Sequence, residues 1–151
     1  MLSLPMINLM SELKKAITSQ HKLLLELHQI LETELHLISS RDAESLINML
    51  KAKEALLDSV QQQDTVIADL YTKASREQKD EEELITLFNQ AKEMVTQCKF
   101  RNKINQTAVE QGQLRLEHLR NLLLESRAKE SMTYDKSGRT QGGGSGGGIS
   151  A

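Results

Sequence analysis

The sequence predicts an all-α protein: an antiparallel three-helix bundle of long helices with an overhanging third helix and a disordered C-terminal tail. Three observations carry that prediction. No Gly or Pro occurs between Met6 and Gln111, and seven of the eight glycines fall at Gly138 or later. Sheets and phosphate-cradling loops need such residues at their turns, so the body is left with long helices. Apolar residues recur every seven positions in two segments and at alternating spacings of four and three in a third, the period of an amphipathic helix. Finally, 151 residues with 38% hydrophobics suit one domain and hardly two. We assign residues 1–130 to a helical domain and 131–151 to a flexible Gly/Ser-rich tail.

The first helix is expected from about Pro5 to Ser39. Met10, Ile17, Leu24, Leu31 and Ile38 lie seven apart; Leu13 and Leu27 take the d register, and Leu9, Ala16, Leu23, Ile30 and Leu37 sit one step before each a position. This stripe is wider than a dimeric coiled-coil seam, so the helix should touch two neighbours. Asp42, following Ser39-Ser40-Arg41, can cap the next helix through its carboxylate.

The second helix, about Asp42 to Ser75, repeats the register with Ala43, Leu50 and Leu57 at a, and Leu46, Val60 and Ile67 at d. Lys53 and Asp64 are polar residues in the same seam. Polar seam residues cost stability and can fix register, or they mark a place where the seam opens. We read them as a snorkelling Lys53 stem and a partly exposed Asp64.

Arg76 to Asp80 reads as a polar connector, with Asp80 and Glu83 forming a capping-box-like start to the third helix. That helix, to about Glu130, carries Leu84, Phe88, Ala91, Val95, Cys98, Asn102, Asn105, Val109, Gly112, Leu116, Leu119 and Leu123 along one stripe. Asn102 and Asn105 stand where apolar residues belong; they are either amides bonded across the bundle or a polar patch facing a partner. Helices of about 34 residues span roughly 50 Å and the third roughly 75 Å, so its far end, beyond about Leu114, overhangs the other two. Leucines exposed there imply a partner. The alternative is a break near Gly112, with the chain folding back on its own bundle.

Composition narrows the function. A formal charge of -2 with mixed signs gives no basic footprint for nucleic acid. Cys98 is the only cysteine, which excludes an intramolecular disulfide and a Cys-x-x-Cys pair, and fits a reducing compartment. The apolar start, Met1 to Met10, lacks a basic n-region and a small-residue cleavage site and reads as first helical turns. Runs such as Leu122-Leu123-Leu124 fall far short of the roughly 20 residues of a membrane span, so direct membrane insertion is not expected and a cytoplasmic location is.

Catalytic and metal chemistry are not expected. His21 and His28 lie two turns apart, about 10 Å, too far for shared chelation. The residues three before each histidine are Thr18, Leu25, Thr33 and Arg115, so the Glu-x-x-His signature of di-iron bundles fails. Glu32 and His36 are spaced to meet as a surface pair. No nucleophile has a recognisable context, and no cofactor is called for.

Three local patterns then resemble the FlgN family of flagellar export chaperones. Ser45-Leu46 followed by Lys53-Glu-Ala-Leu56-Leu57 is similar to the family's leucine, lysine and paired leucines. Asn102-Lys-Ile-Asn105 followed by Val109 is similar to its two asparagines three apart, although Gln106 stands where some relatives carry glycine. Tyr134-Asp-Lys-Ser-Gly138 and the closing Ile149-Ser150 resemble its tail.

The resemblance implies a cytoplasmic chaperone that binds the C-terminal helical segments of the hook–filament junction proteins FlgK and FlgL, prevents their early assembly, and delivers them to the export gate. It implies that Tyr134 docks on the cytoplasmic domain of the gate protein FlhA. Helix-in-groove recognition makes Val109, Leu116, Leu119, Leu122 and Leu123 the expected substrate contacts. The unloaded chain is expected as a monomer or weak homodimer. The competing reading is a structural scaffold, a helical bundle that uses the leucine overhang to form a stable homo-oligomer.

Overall fold

A computed structural model describes the backbone of residues 4–136 and the side chains of residues 8–132. Among them there is no strand; the elements are α1 (Leu4–Ser40), α2 (Ala43–Lys73), the single turn α3 (Arg76–Lys79) and α4 (Glu82–Lys136). The all-helical expectation stands, with four helices rather than three. The tail residues from Ser137 onward, including Gly138, Ile149 and Ser150, lie outside the described residues.

The turns follow from local chemistry. α1 ends with Arg41 at φ 59°; the Asp42 amide donates to the Leu37 carbonyl at 3.0 Å and the Arg41 amide to Ile38 at 3.2 Å. This is the left-handed helix stop that glycine normally supplies. Asp42 caps α2 by accepting from the Ser45 amide at 3.1 Å and the Ser45 hydroxyl at 2.8 Å. Those bonds, the amide's first, hold its carboxyl below the usual carboxylate range.

The expected polar connector is instead helical. Ser75 caps α3 in a reciprocal box with Gln78, in which the Ser75 amide donates to Gln78 Oε1 at 2.8 Å. Asp80 therefore closes α3 rather than opening the next helix, and α4 begins at Glu82. The far boundary moves too: α4 is one helix through Gly112, ending at Lys136 rather than near Glu130.

The chain divides into two compact units, residues 1–108 and 109–151. In the first, α1 supplies most of the core: Met10, Leu13, Ile17, Leu24, Leu27 and Leu31 are all buried. Completely burying one such side chain contributes about 1.5–3 kcal/mol. Two apolar clusters form along α1. One joins Met10, Leu13 and Ile17 to Ala74 and Leu84, and the other joins Leu27 and Leu31 to Leu56 and Cys98. Tyr71 and Phe88 meet edge-on at 5.3 Å beside the first cluster.

Cross-helix bonds fix the directions. Gln63 of α2 donates to the Ala16 carbonyl, Gln20 donates to the Val60 carbonyl, and Lys53 meets Glu34, so α2 runs against α1. Cys98 and Asn105 of α4 reach the Leu24 and Leu31 carbonyls in the same order along both helices, so α4 runs with α1. Lys14 pairs with Glu81 and, at 3.0 Å, with Glu83 near the start of α4. Above all the Glu81 bond holds that ammonium pKa higher than usual.

The second helix departs from its expected seam. Leu56 is buried, while Leu50 and Leu57 are 51% and 44% exposed. Lys53 is more than a snorkelling stem, since it pairs with Glu34 at 2.9 Å. Glu32 meets His28 Nδ1 at 3.1 Å rather than His36.

Candidate functional site

The site residues named from sequence lie in the second unit. Val109, Leu116, Leu119, Leu122 and Leu123 are all exposed, between 43% for Val109 and 59% for Leu116 and Leu123. At about 100° per residue they cover an arc of about 140° on α4. Leu114 and Leu124 are also exposed and fall outside that arc, so this stretch is apolar around much of its circumference. Exposed leucines at this density are what a partner surface looks like and what a solvated helix face avoids. Tyr134 falls within α4 by its backbone; its side chain lies outside the described residues.

The two asparagines divide the alternatives between them. Asn105 is 3% exposed and donates from Nδ2 to the Leu31 carbonyl at 2.8 Å and to Glu34 Oε1 at 2.7 Å. Glu34 in turn accepts from Lys53. One carboxylate thus ties α4, α1 and α2 together, with its charge paired rather than stranded in a partly buried setting. Asn102 is exposed and sits at the rim of a cleft.

That cleft, of about 580 Å³, is a feature the sequence left as the less favoured alternative. It runs along the first unit between the two apolar clusters. Its floor is α1 from Ile17 to Leu31, and its walls are α2 from Lys53 to Ile67 and α4 from Phe88 to Asn102. Lys53 and Asp64, the polar seam residues, both line it, so the seam opens where they stand. Asp64 accepts from Gln20 Nε2 at 2.6 Å. The other Gln20 atom, Oε1, is buried without a hydrogen-bond partner. Lys92 and Lys99 add two ammonium groups on the α4 wall. The sequence signal for the cleft was that pair of polar seam residues; nothing in the spacing singled out Lys92 or Lys99.

Chemistry of other kinds has little to stand on among the described residues. Cys98 lines the cleft, and its thiol donates to the Leu24 carbonyl at 3.4 Å. Burial pushes its pKa up, which keeps it a thiol and suppresses nucleophilicity. No group of three or more His, Cys, Asp or Glu side chains is placed to hold a metal ion, and no helix is long and apolar enough to cross a membrane.

Comparison with known proteins gives one match. The family model described as FlgN protein aligns with residues 6–142, a span that takes in every site residue named above. Neither the curated proteins nor the solved structures yield a significant match.

Proposed function

The chain belongs to the FlgN family of flagellar export chaperones, and from that premise we propose that it captures the C-terminal helical segments of the junction proteins FlgK and FlgL and presents them to the export gate. The observation that carries this reading is the exposed leucine arc of Val109, Leu116, Leu119, Leu122 and Leu123. An amphipathic client segment that would otherwise self-assemble finds there the i, i+3, i+4 and i+7 apolar contacts of helix recognition. α1 supplies most of the core of the first unit, joined by Leu56 of α2 and by Leu84 and Cys98 of α4. Tyr134 is the contact for the cytoplasmic domain of FlhA, which separates gate docking from client capture along α4.

Chaperoning of this kind asks for no covalent step. Release follows when the gate competes for an interface of modest size, because affinity differences between such complexes lie mainly in dissociation rates. The chain therefore acts in the cytoplasm without cofactor or metal, as a monomer or weak homodimer when unloaded.

Size-exclusion chromatography with light scattering tests the reading. The full chain mixed with a FlgK C-terminal fragment is expected to run as a 1:1 complex, and the Leu119→Asp chain as free protein. A homo-oligomer that persists at nanomolar concentration and ignores the fragment would make the chain a scaffold instead. For the gate, Tyr134→Ala is expected to keep the fragment and lose the FlhA cytoplasmic domain in a pull-down. Loss of both together would refute the division of roles.

A further inference from the structure

The exposed leucines of the second unit are bordered by a charge pattern as regular as their own spacing. From Val109 the stripe advances through Gly112, Leu116, Leu119 and Leu123 in alternating steps of three and four, which makes Val109, Leu116 and Leu123 heptad a positions. The e positions on one flank are then Gln113, Arg120 and Arg127, and the g positions on the other are Arg115, Leu122 and Lys129. Every charged group on the two flanks is basic. The acids of the same stretch stand off the stripe, Glu110 and Glu117 at b and Glu125 at c; only Glu130, one residue past the last flank position, returns to a.

This is an arrangement of charge and not an excess of it, since the bases of the stretch are matched in number by its acids. Arg115, Arg120, Arg127 and Lys129 are all exposed, and none of them joins an ion pair among the described residues. Their charges are left for whatever covers the leucines.

What the flanks meet depends on the partner. Two helices packed through a and d set g against e when parallel, and g against g and e against e when antiparallel. A parallel second copy would bring Arg115 against Arg120 of that copy and Leu122 against its Arg127. An antiparallel copy, in any register, finds only basic or neutral groups at either flank. Leucines attract without discrimination, so the stripe by itself would pair with its own copy. Like charges held closer than the Debye length of about 8–10 Å oppose that pairing.

We propose that Arg115, Arg120, Arg127 and Lys129 are the specificity residues of the leucine arc: they bar a second copy of this chain and admit a helix whose own flanks are acidic. The bar to self-pairing stands on the charges of this chain alone, whereas assigning the admitted helix to an export client rests on the chaperone reading above. Repulsion of the wrong partner leaves the apolar surface open for the right one.

The chain itself supplies the probe. A reversed chain carries Arg115→Glu, Arg120→Glu, Arg127→Glu and Lys129→Glu; the positions are exposed and glutamate is a good helix former, so its circular dichroism should match that of the native chain. In analytical ultracentrifugation at low salt each chain alone is expected to stay largely monomeric. An equal mixture is expected to form a heterodimer about tenfold tighter than either homodimer. Molar salt should weaken the mixed pair and strengthen native self-association, because it screens attraction in one and repulsion in the other. A neutral chain with glutamine at the same four positions should self-associate more tightly than the native chain at low salt. Leu119→Asp in both partners should abolish the mixed pair.

A native homodimer as tight as the mixed pair, a mixture that stays monomeric, or a mixed pair that survives Leu119→Asp would overturn the proposal. The FlgK fragment takes no part in this test. It can fail to bind while the charge rule stands, and the rule can fail while the fragment still binds.

Discussion

Asn105 donates to Glu34 Oε1 at 2.7 Å, the oxygen that Lys53 approaches at 3.2 Å from the opposite helix. Asn105 sits at a stripe position where leucine would be ordinary, yet the amide is the only neutral donor spanning from α4 to this carboxylate among the described residues. Its second bond, to the Leu31 carbonyl at 2.8 Å, falls at a residue of α1 that is itself buried. Losing a hydrogen bond to a charged group costs about 1.5–3 kcal/mol. Asn105→Ala is therefore expected to lower stability by about 2 kcal/mol in urea unfolding. Asn105→Asp should cost more, since it sets a second carboxylate against Glu34. Near-equal midpoints for all three chains would show that the network contributes nothing.

The register of α1 was fully legible because every core contact it makes uses one stripe: Met10, Leu13, Ile17, Leu24, Leu27 and Leu31 are all buried. Gln20, the polar member of that stripe, is buried too, and no pattern distinguishes a bonded amide from an exposed one. In α2 periodicity placed Ala43, Leu50 and Leu57 in the seam, yet all three are exposed, and the face turned inward is that of Leu56 with Leu46, Val60 and Ile67 half-buried. Leu57 is half exposed at the cleft that Lys53 and Asp64 also line, and interhelical distance is not encoded in spacing. The connector was misread for a different reason. A four-residue turn has no periodicity to detect, and its only signature is Ser75-x-x-Gln78, two residues that form a capping box. The leucine arc was legible as a surplus of apolar residues.

Asp42 makes the start of α2 sensitive to acid. Its folded pKa lies below the ordinary value of 3.8, chiefly through the Ser45 amide. The sign follows from linkage: the cap's contribution is fully present above the unfolded value and is lost as pH falls through the lower folded value. Asn keeps the capping geometry without titrating. The stability gap between the native chain and Asp42→Asn, measured by urea midpoints, is therefore expected to shrink between pH 5 and pH 2. A gap that widens toward acid would contradict the cap's role.

Two backbone positions are open to improvement in opposite senses. Arg41 holds φ 59°, a left-handed conformation that costs an L-residue about 1–2 kcal/mol and glycine little. Arg41→Gly is thus expected to stabilise by about 1 kcal/mol, offset in part by unfolded-state entropy. Gly112 is the converse: it lies inside α4, and a Cβ there would meet nothing within 4 Å. Gly112→Ala should stabilise the helix by about 0.5–1 kcal/mol. Thermal melts followed by circular dichroism check both, and a lower midpoint in either variant would refute the corresponding reading.

Leu31 and Leu119 are the same residue type on two long helices, and the structure gives them opposite work. Leu31 is 2% exposed and sits in the second apolar cluster; Leu119 is 53% exposed. Truncating a buried leucine costs about 2–5 kcal/mol, because the cavity left behind collapses only in part. Changing an exposed residue away from such features stays within about 0.5 kcal/mol. Leu31→Ala is therefore expected to lower the unfolding midpoint sharply while the folded fraction still binds the FlgK fragment. Leu119→Asp is expected to leave the midpoint in place and abolish that binding. Equal destabilisation by the two would make Leu119 a core residue and withdraw the leucine arc as a client surface, whereas full binding by Leu119→Asp would move capture elsewhere on the chain.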